Sequence, residues 1–495
     1  MRGVISRVGA RLDGVGGFER RVWAIASVVV VGAAISILAT TTVNVALAPL
    51  ARDLGASIQQ IQWVVTGYLL ALATVIPVTG WASERFGART LWMTTVGAFV
   101  AASGLCAAAW SAESLIAFRV LQGLAGGMIM PIGMITLTLA VGPDRVGRAM
   151  SVIGVPMLLA PAFGPVIGGL LVEYASWRWI FLVNVPLGLA GLALAWLLLP
   201  DAKAEGHHRL DWRGLLLASP GVALLTLGLA EVPGHGGVGH PSVWGPGLAG
   251  LALIAAFVAY ALRTTDPLID VRLFAQRRLA AAATTTFLLG IALFGALVVL
   301  PLYFQILRGE DALTTGVLLI PQGAGAALGM AVGGRLTDRI GGGPVAATGM
   351  IILALGTLAL TQAGTDTSYA LLVAVLAVRG VGLGASMMPA MAAAFAALRP
   401  EAVPRATSGL NVIQRVGGSI GAALLATILE SRLEALGRAA TPDAVAGAFG
   451  HTFWWATALS LVAIPAALLL AREERAARRA ARVAAPEAAQ AEAAA

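Results

Sequence analysis

Fourteen apolar runs of spanning length, separated by short segments that carry most of the arginines, leave this 495-residue chain very few folds. They fall near 22–48, 62–81, 91–110, 114–139, 149–173 and 179–199, then 214–230 and 246–262. The last six lie near 280–302, 313–333, 345–362, 368–395, 407–429 and 452–470. A helix needs about 20 apolar residues to cross a bilayer. Inside hydrocarbon every backbone N–H and C=O must find a partner within the protein, so such runs become helices. With 58% hydrophobic residues, 12% charged residues and a mean hydropathy of +0.85, the chain reads as an all-α integral membrane protein. The first run exceeds a signal-peptide core and is expected to be retained, although Ala46-Leu47-Ala48 imitates a cleavage site.

Orientation follows from the basic residues. With the amino terminus in the cytoplasm, 25 of the 33 Lys and Arg residues fall on that side and five on the other (Arg52, Arg178, Arg308, Arg432 and Arg438). The positive-inside rule therefore places both termini in the cytoplasm of a cell membrane protein. The net charge of +8 needs no nucleic acid to explain it, because the arginines sit between spans and not on a soluble basic face. The tail from Arg472 through Arg482, if helical, would lie along an anionic lipid surface or simply retain the last span.

Three arginines remain inside the spans: Arg119, Arg379 and Arg415. A guanidinium keeps its proton, so each must face a protein interior or a wet cavity. Arg119 stands in SLIAFRVLQGLAGG, followed at helical spacing by Gln122, Gly123 and Gly127, and Arg379 stands in VRGVGLG, 260 residues later. GWASERFG from Gly80 and GRLTDRIG from Gly334 repeat in the same way, offset by 254. The chain thus reads as two related halves around a polar interior, which is how many transporters are built. The organisation expected is a cytoplasmic segment 1–21, a six-helix bundle 22–199, a linker with two extra spans 200–278, a second six-helix bundle 279–470 and a basic, alanine-rich tail 471–495.

No enzyme is indicated. The single Cys106 excludes an intramolecular disulfide, no span pairs His with Glu for a metal, and all five histidines (His207, His208, His235, His240 and His451) fall in loops or at helix ends. No cofactor or metal is expected.

These motifs together resemble the major facilitator superfamily, and within it the fourteen-helix drug:proton antiporters of the EmrB/QacA type, over about Leu38 to Leu470. That resemblance implies two pseudosymmetric six-helix bundles plus two central helices. It also implies efflux of small lipophilic drugs or metabolites by alternating access, in exchange for protons. Proton-coupled import of a nutrient is the rival. The family includes members that use a periplasmic adaptor and members that work alone; a monomer is expected.

Gating is what the resemblance implies for Gly80, Glu84, Arg85, Gly87 and Arg89, and for Gly334, Asp338, Arg339 and Gly341. The alternative is a charged turn that obeys the positive-inside rule. Glu84 stands where the family has Asp, and Ala82 where it has Leu. Arg119 and Gln122 match the fourth-helix motif associated with proton relay; bracing of a backbone carbonyl is the competing account of Arg119. In the fifth helix Ala160, Gly164 and Gly168 recur every four residues, so they share a face that lets a neighbouring backbone approach, and Pro165 invites a kink there. Gly164 to Gly169, GPVIGG, is similar to the signature of antiporters. SWRWIFLVNVPLG from Ser176 resembles the entry to the sixth helix, with aromatics suited to an interfacial belt, and DPLIDVRLF from Asp266 resembles the entry to the second bundle.

Two departures bear on mechanism. The family's first helix reads LDxTIVNVALP, with an acid that titrates; here LATTTVNVALAP puts Ala39 in its place. Glu173, one turn before Trp177, is the first choice as a substitute in proton coupling. In the thirteenth helix, relatives read Arg-Gln where this chain has Gln414-Arg415, and exchanging neighbours turns the charge by about 100°. The substrate is expected among Asn44, Trp63, Arg119, Gln122, Gln305, Gln322, Arg379, Asn411, Gln414 and Arg415. Three fixed positive charges with no deep acid favour neutral, amphipathic or anionic substrates over small hydrophilic cations.

Overall fold

A computed structural model describes residues 15–141, 147, 150, 164, 166–199, 209–232, 240–396, 398–437 and 441–494. These form helices joined by short turns. The first half contains α1 (Val15–Thr41), the short α2 (Leu47–Asp53), α3 (Ile58–Val75), α4 (Thr79–Phe86), α5 (Ala88–Ala107) and α6 (Ala112–Val141). It continues through α7 (166–174) and α8 (Trp179–Leu182) to α9 (Asn184–Leu198). Two inserted helices follow, α10 (Trp212–Ala230) and α11 (Pro241–Ala261). The second half holds α12 (Arg277–Leu302), α13 (Ala312–Ile340), α14 (Gly342–Leu360), α15 (Tyr369–Phe395), α16 (Val403–Leu436) and α17 (Pro442–Ala494). Thirteen helices among the described residues are long and apolar enough to cross a membrane. The expected span 149–173, with Ala160 and Pro165, lies largely outside the described residues.

The two halves pack alike. In the first, α6 lies against α1, α3 and α5, while α9 lies against α1 and α5; in the second, α15 lies against α12, α13 and α14, while α17 lies against α12 and α14. Close approach depends on glycine. A Cβ on Gly127 would lie 2.5 Å from the Leu72 carbonyl oxygen and 2.6 Å from a Val75 methyl, and Gly380 and Gly384 press on the α13 backbone in the same way. Without a hydrophobic driving force between helices in lipid, such backbone proximity is a main source of association.

The loops after α4 and α13 repeat too. Gly87 (φ 78°) and Gly341 (φ 101°) each end one helix and start the next, in a backbone region open to glycine. Around this end of the molecule one apolar core joins both halves, with Trp92, Phe99 and Ile129 in the same cluster as Leu289, Met387 and Phe395. At the opposite end the packing divides. Val43, Leu115, Trp177 and Phe181 form one cluster, and Tyr303, Leu376, Phe449 and Phe453 another. The halves are fused at the motif end and separate at the other.

The tail continues the last span as one helix to Ala494, and Glu474 is buried, accepting from the Gly342 and Gly343 amides at 3.1 and 2.7 Å with Arg278 at 3.7 Å. It caps α14. Trp177 departs from the belt, being 2% exposed and donating to Asp53 at 2.9 Å, whereas Trp179 and Trp110 are exposed.

Gly127→Ala is expected to lower stability by about 1–3 kcal/mol through overpacking. Gly97→Ala, where a Cβ meets nothing within 4 Å, should leave it unchanged or raise it slightly. Thermal unfolding of the purified variants in one detergent measures both.

Candidate substrate cavity and gate

Arg119 is fully buried among α1, α3 and α6. Its Nε donates to the Val64 carbonyl at 3.0 Å, and its Nη1 donates to the Ala39 carbonyl at 3.3 Å and to Gln122 Oε1 at 2.6 Å. The Gln122 amide passes a hydrogen bond to Ser103 at 2.6 Å, and Ser103 donates to the Phe99 carbonyl. The Tyr68 ring stacks on the guanidinium, 3.9 Å from its carbon to the ring centroid. Charge-assisted bonds to carbonyls and an aromatic face offset the loss of water. Ala39, in place of the acid that the family resemblance implies, therefore meets Arg119 through its backbone oxygen.

Arg379 repeats this in the second half with fewer partners. It is 2% exposed, its Nε donating to Thr357 at 3.1 Å and its Nη1 to Gln322 Oε1 at 2.7 Å. Both arginines thus lean on a glutamine. Gln322 also faces the interior of the molecule.

That interior is a cavity of about 460 Å³ between the halves. Asn44, Gln322, Asn411, Gln414 and Arg415 line it, with Met130, Met134, Phe294, Leu297 and Leu300 supplying apolar surface. Arg119, Gln122 and Arg379 lie behind its wall: the hydrogen bonds of their side chains run to partners in their own bundles. Trp63 and Gln305 are exposed and do not line it. Thr40, Thr41 and Thr42 look polar in sequence, yet their hydroxyls donate to the carbonyls of Ser36, Ile37 and Leu38 in their own helix, at 2.9, 3.0 and 2.8 Å. A hydroxyl so satisfied contributes little polarity to the cavity. The Arg415 guanidinium has no hydrogen bond or ion pair among the described residues. Among the described residues the cavity lining thus carries a single formal charge, a positive one.

Past the cavity, at the motif end, the halves are clamped. Arg405 of α16 donates from Nε and Nη2 to the two Glu84 oxygens at 3.2 and 3.1 Å, and its Nη1 pairs with Asp266. The Gly80 amide donates to Ser408 Oγ at 2.9 Å, and a Cβ there would lie 2.8 Å from the Pro404 carbonyl oxygen. Arg89 turns within its own half, to the Trp196 carbonyl at 2.8 Å, while Arg85 is exposed. Asp338 lies against Gly147, and Gly334 and Arg339 belong to the same helix, α13. In the fifth span, Gly168 presses on the Thr42 carbonyl and Gly164 on Thr41, so the small-residue face meets the first helix; Gly169 is half-buried beside them. Glu173 is exposed and lines neither this cavity nor the larger one beside it.

Sequence reasoning does not find Arg405, Asp266 or Ser408 as gate partners. The segment from Asp266 reads only as a family marker, and nothing local to Arg405 distinguishes it from other loop arginines. Tyr68, Ser103 and Thr357 escape for the same reason: their roles require contacts between helices.

The family model described as Major Facilitator Superfamily matches residues 29–422 and 322–492. The chain is 43% identical over 407 residues to a multidrug resistance protein B homolog of Mycobacterium tuberculosis, covering 82% of this chain and 75% of that protein. It is 30% identical over 419 residues to the tetracenomycin C resistance and export protein of Streptomyces glaucescens, covering 84% and 78%. Among solved structures it is similar to the human organic anion transporter MFSD10, with a TM-score of 0.61, 15% identity and coverage of 91% and 99%. It is also similar to the proton:xylose symporter XylE, with a TM-score of 0.60, 14% identity and coverage of 90% and 96%.

Arg119→Ala removes the hydrogen bonds to Gln122 and to the Val64 and Ala39 carbonyls and the stacking on Tyr68, and should cost about 2–5 kcal/mol of stability. Arg415→Gln, which removes an unpaired guanidinium and no protein partner, should leave stability unchanged or raise it; thermal unfolding separates the two. For the gate, Arg405→Gln is expected to raise labelling of Asn411→Cys by a soluble maleimide from the motif side several-fold, in a Cys106→Ser background.

Proposed function

The chain belongs to the major facilitator superfamily, and from that premise we propose that it is a secondary active exporter of lipophilic drugs or metabolites, working by alternating access in exchange for protons. The multi-pass membrane protein is a transporter and not an enzyme; direction and coupling are the proposed part. One observation carries the reading. A largely apolar cavity with few polar groups sits between the two halves, sealed on the motif side by a shared core and the Glu84–Arg405 pair. Such lining suits a permissive pocket for lipophilic molecules. The names of the two relatives above, multidrug resistance and tetracenomycin C export, support the same substrate class and direction.

Alternating access then requires the clamp to break and the separate clusters at the far end to close. Binding can drive this only if substrate and proton favour the two states differently. With both termini taken as cytoplasmic, the motif side is the inner gate, and the cavity belongs to the outward-facing half of the cycle. Loss of the cytoplasmic clamp is then the step that admits substrate from the cell. Arg119 holds α6 against α1 and α3, so its contact with the Ala39 carbonyl is the proposed path by which coupling reaches the cavity. Glu173 is the proposed proton carrier from the sequence; Glu430 of α16, which lines a cavity and has a buried carboxylate oxygen without a hydrogen bond, is the other acid to test.

Substrate-induced proton flux in proteoliposomes, over a panel of cationic, neutral and anionic compounds, tests the proposal. A neutral lipophilic dye should drive counterflow of protons, Arg119→Ala should abolish it, and either Glu173→Gln or Glu430→Gln should uncouple it. Proton-dependent uptake of a hydrophilic solute in the opposite direction would falsify the export reading.

A further inference from the structure

A second cavity, of about 950 Å³, adjoins the first. Thr40, Asn44, Phe294, Leu297 and Arg415 line both, so the unpaired guanidinium stands at their junction. From there the second cavity follows one face of α16, over small residues from Gly418 to Ala426, to Glu430 and Glu434. Fifteen residues of helix separate Arg415 from Glu430, about 22 Å of rise. The facing wall comes from α12 and from the inserted helix α10, through Thr226, Leu229 and Ala230.

Three polar groups around this space lack hydrogen bonds among the described residues: the Arg415 guanidinium, Thr226 Oγ1 and Glu430 Oε2. An unpaired cation in a largely apolar hollow is costly, and an anion placed beside it recovers much of that cost. Small side chains along α16 leave a long, largely apolar hollow with room for an extended chain. Carboxylates at the far end repel a second negative charge. One acidic head and one neutral tail fit; two acidic ends do not.

We propose that the two cavities form one bipartite site for an amphipathic anion, its single acidic head paired with Arg415 and its apolar chain laid along α16 against α10. This deepens the exporter reading and rests on it for the direction of movement only. It also gives the inserted helix a task, since α10 supplies the wall that sets how long a chain is held.

Equilibrium binding to the full chain in phosphatidylcholine nanodiscs at pH 7 tests the site. The probes are decanoate, decanol, decyltrimethylammonium, decanedioate and butyrate. Decanoate should bind at least tenfold more tightly than decanol, decyltrimethylammonium or decanedioate. Arg415→Gln should reduce decanoate to the level of decanol, and Arg415→Lys should retain most of the difference. Ala426→Phe, which fills the hollow, should weaken decanoate at least tenfold and leave butyrate unchanged. Weaker decanoate binding in phosphatidylglycerol discs, absent in Arg415→Gln, supports the site with an anionic bilayer lipid as competing occupant; equal binding in both discs supports it with free solute as the occupant. The proposal is overturned if decyltrimethylammonium binds as tightly as decanoate, or if Arg415→Gln, unfolding at the parent temperature, leaves decanoate affinity unchanged. Should this binding profile hold while proteoliposomes export nothing, the exporter reading fails and the site stands. Export of a lipophilic dye without the profile leaves the exporter reading standing and removes the site.

Discussion

Holding a permanent positive charge inside a membrane-spanning bundle is the constraint on which this architecture depends. Arg119 and Arg379 hydrogen-bond to no carboxylate among the described residues. The carbonyls of Val64 and Ala39, and the amides of Gln122 and Gln322, take that place. Neutral acceptors satisfy a guanidinium without introducing a second charge that must also be desolvated. The result is a tie between the helices of one half. Such internal ties suit the motion of one half against the other that the exporter proposal requires.

Between the halves the logic is reversed. The clamp at the motif end combines one apolar core with a carboxylate–guanidinium pair, Glu84 and Arg405, that remains partly exposed. With side chains 16% and 14% exposed, the pair keeps some contact with water, and each partner regains hydration when it separates. Apolar contact supplies the bulk of the closure, while the pair sets its register. Strong ties lie within the halves and weak ones between them.

The first helix illustrates how one substitution reshapes a site. Ala39 leaves Arg119 facing a backbone oxygen, and the threonines that follow turn their hydroxyls to their own helix. The central cavity consequently has an apolar wall on that side, and among the described residues the only formal charge in its lining belongs to Arg415 on the opposite half. In the proposed site, substrate charge would accordingly be read by the second half and not by the first.

Hydropathy and arginine spacing alone determined the class, the approximate span count, the twofold repeat and the identity of the buried arginines, because the bilayer imposes these at the level of single segments. The glycine pattern in the fifth helix likewise declared a close backbone contact before any partner was known. What the residues could not say was which way each guanidinium points. Arg119 and Arg415 look equivalent in sequence, both lone arginines in apolar runs, yet one is sealed among carbonyls and the other opens on a cavity. That difference depends on what neighbouring helices present at the same depth: a Tyr68 ring and two backbone carbonyls in one case, a hollow in the other. The same holds for Glu84 and Arg405, 321 residues apart. Only tertiary packing brings such groups together, since a helix specifies its own face but never what will lie against it.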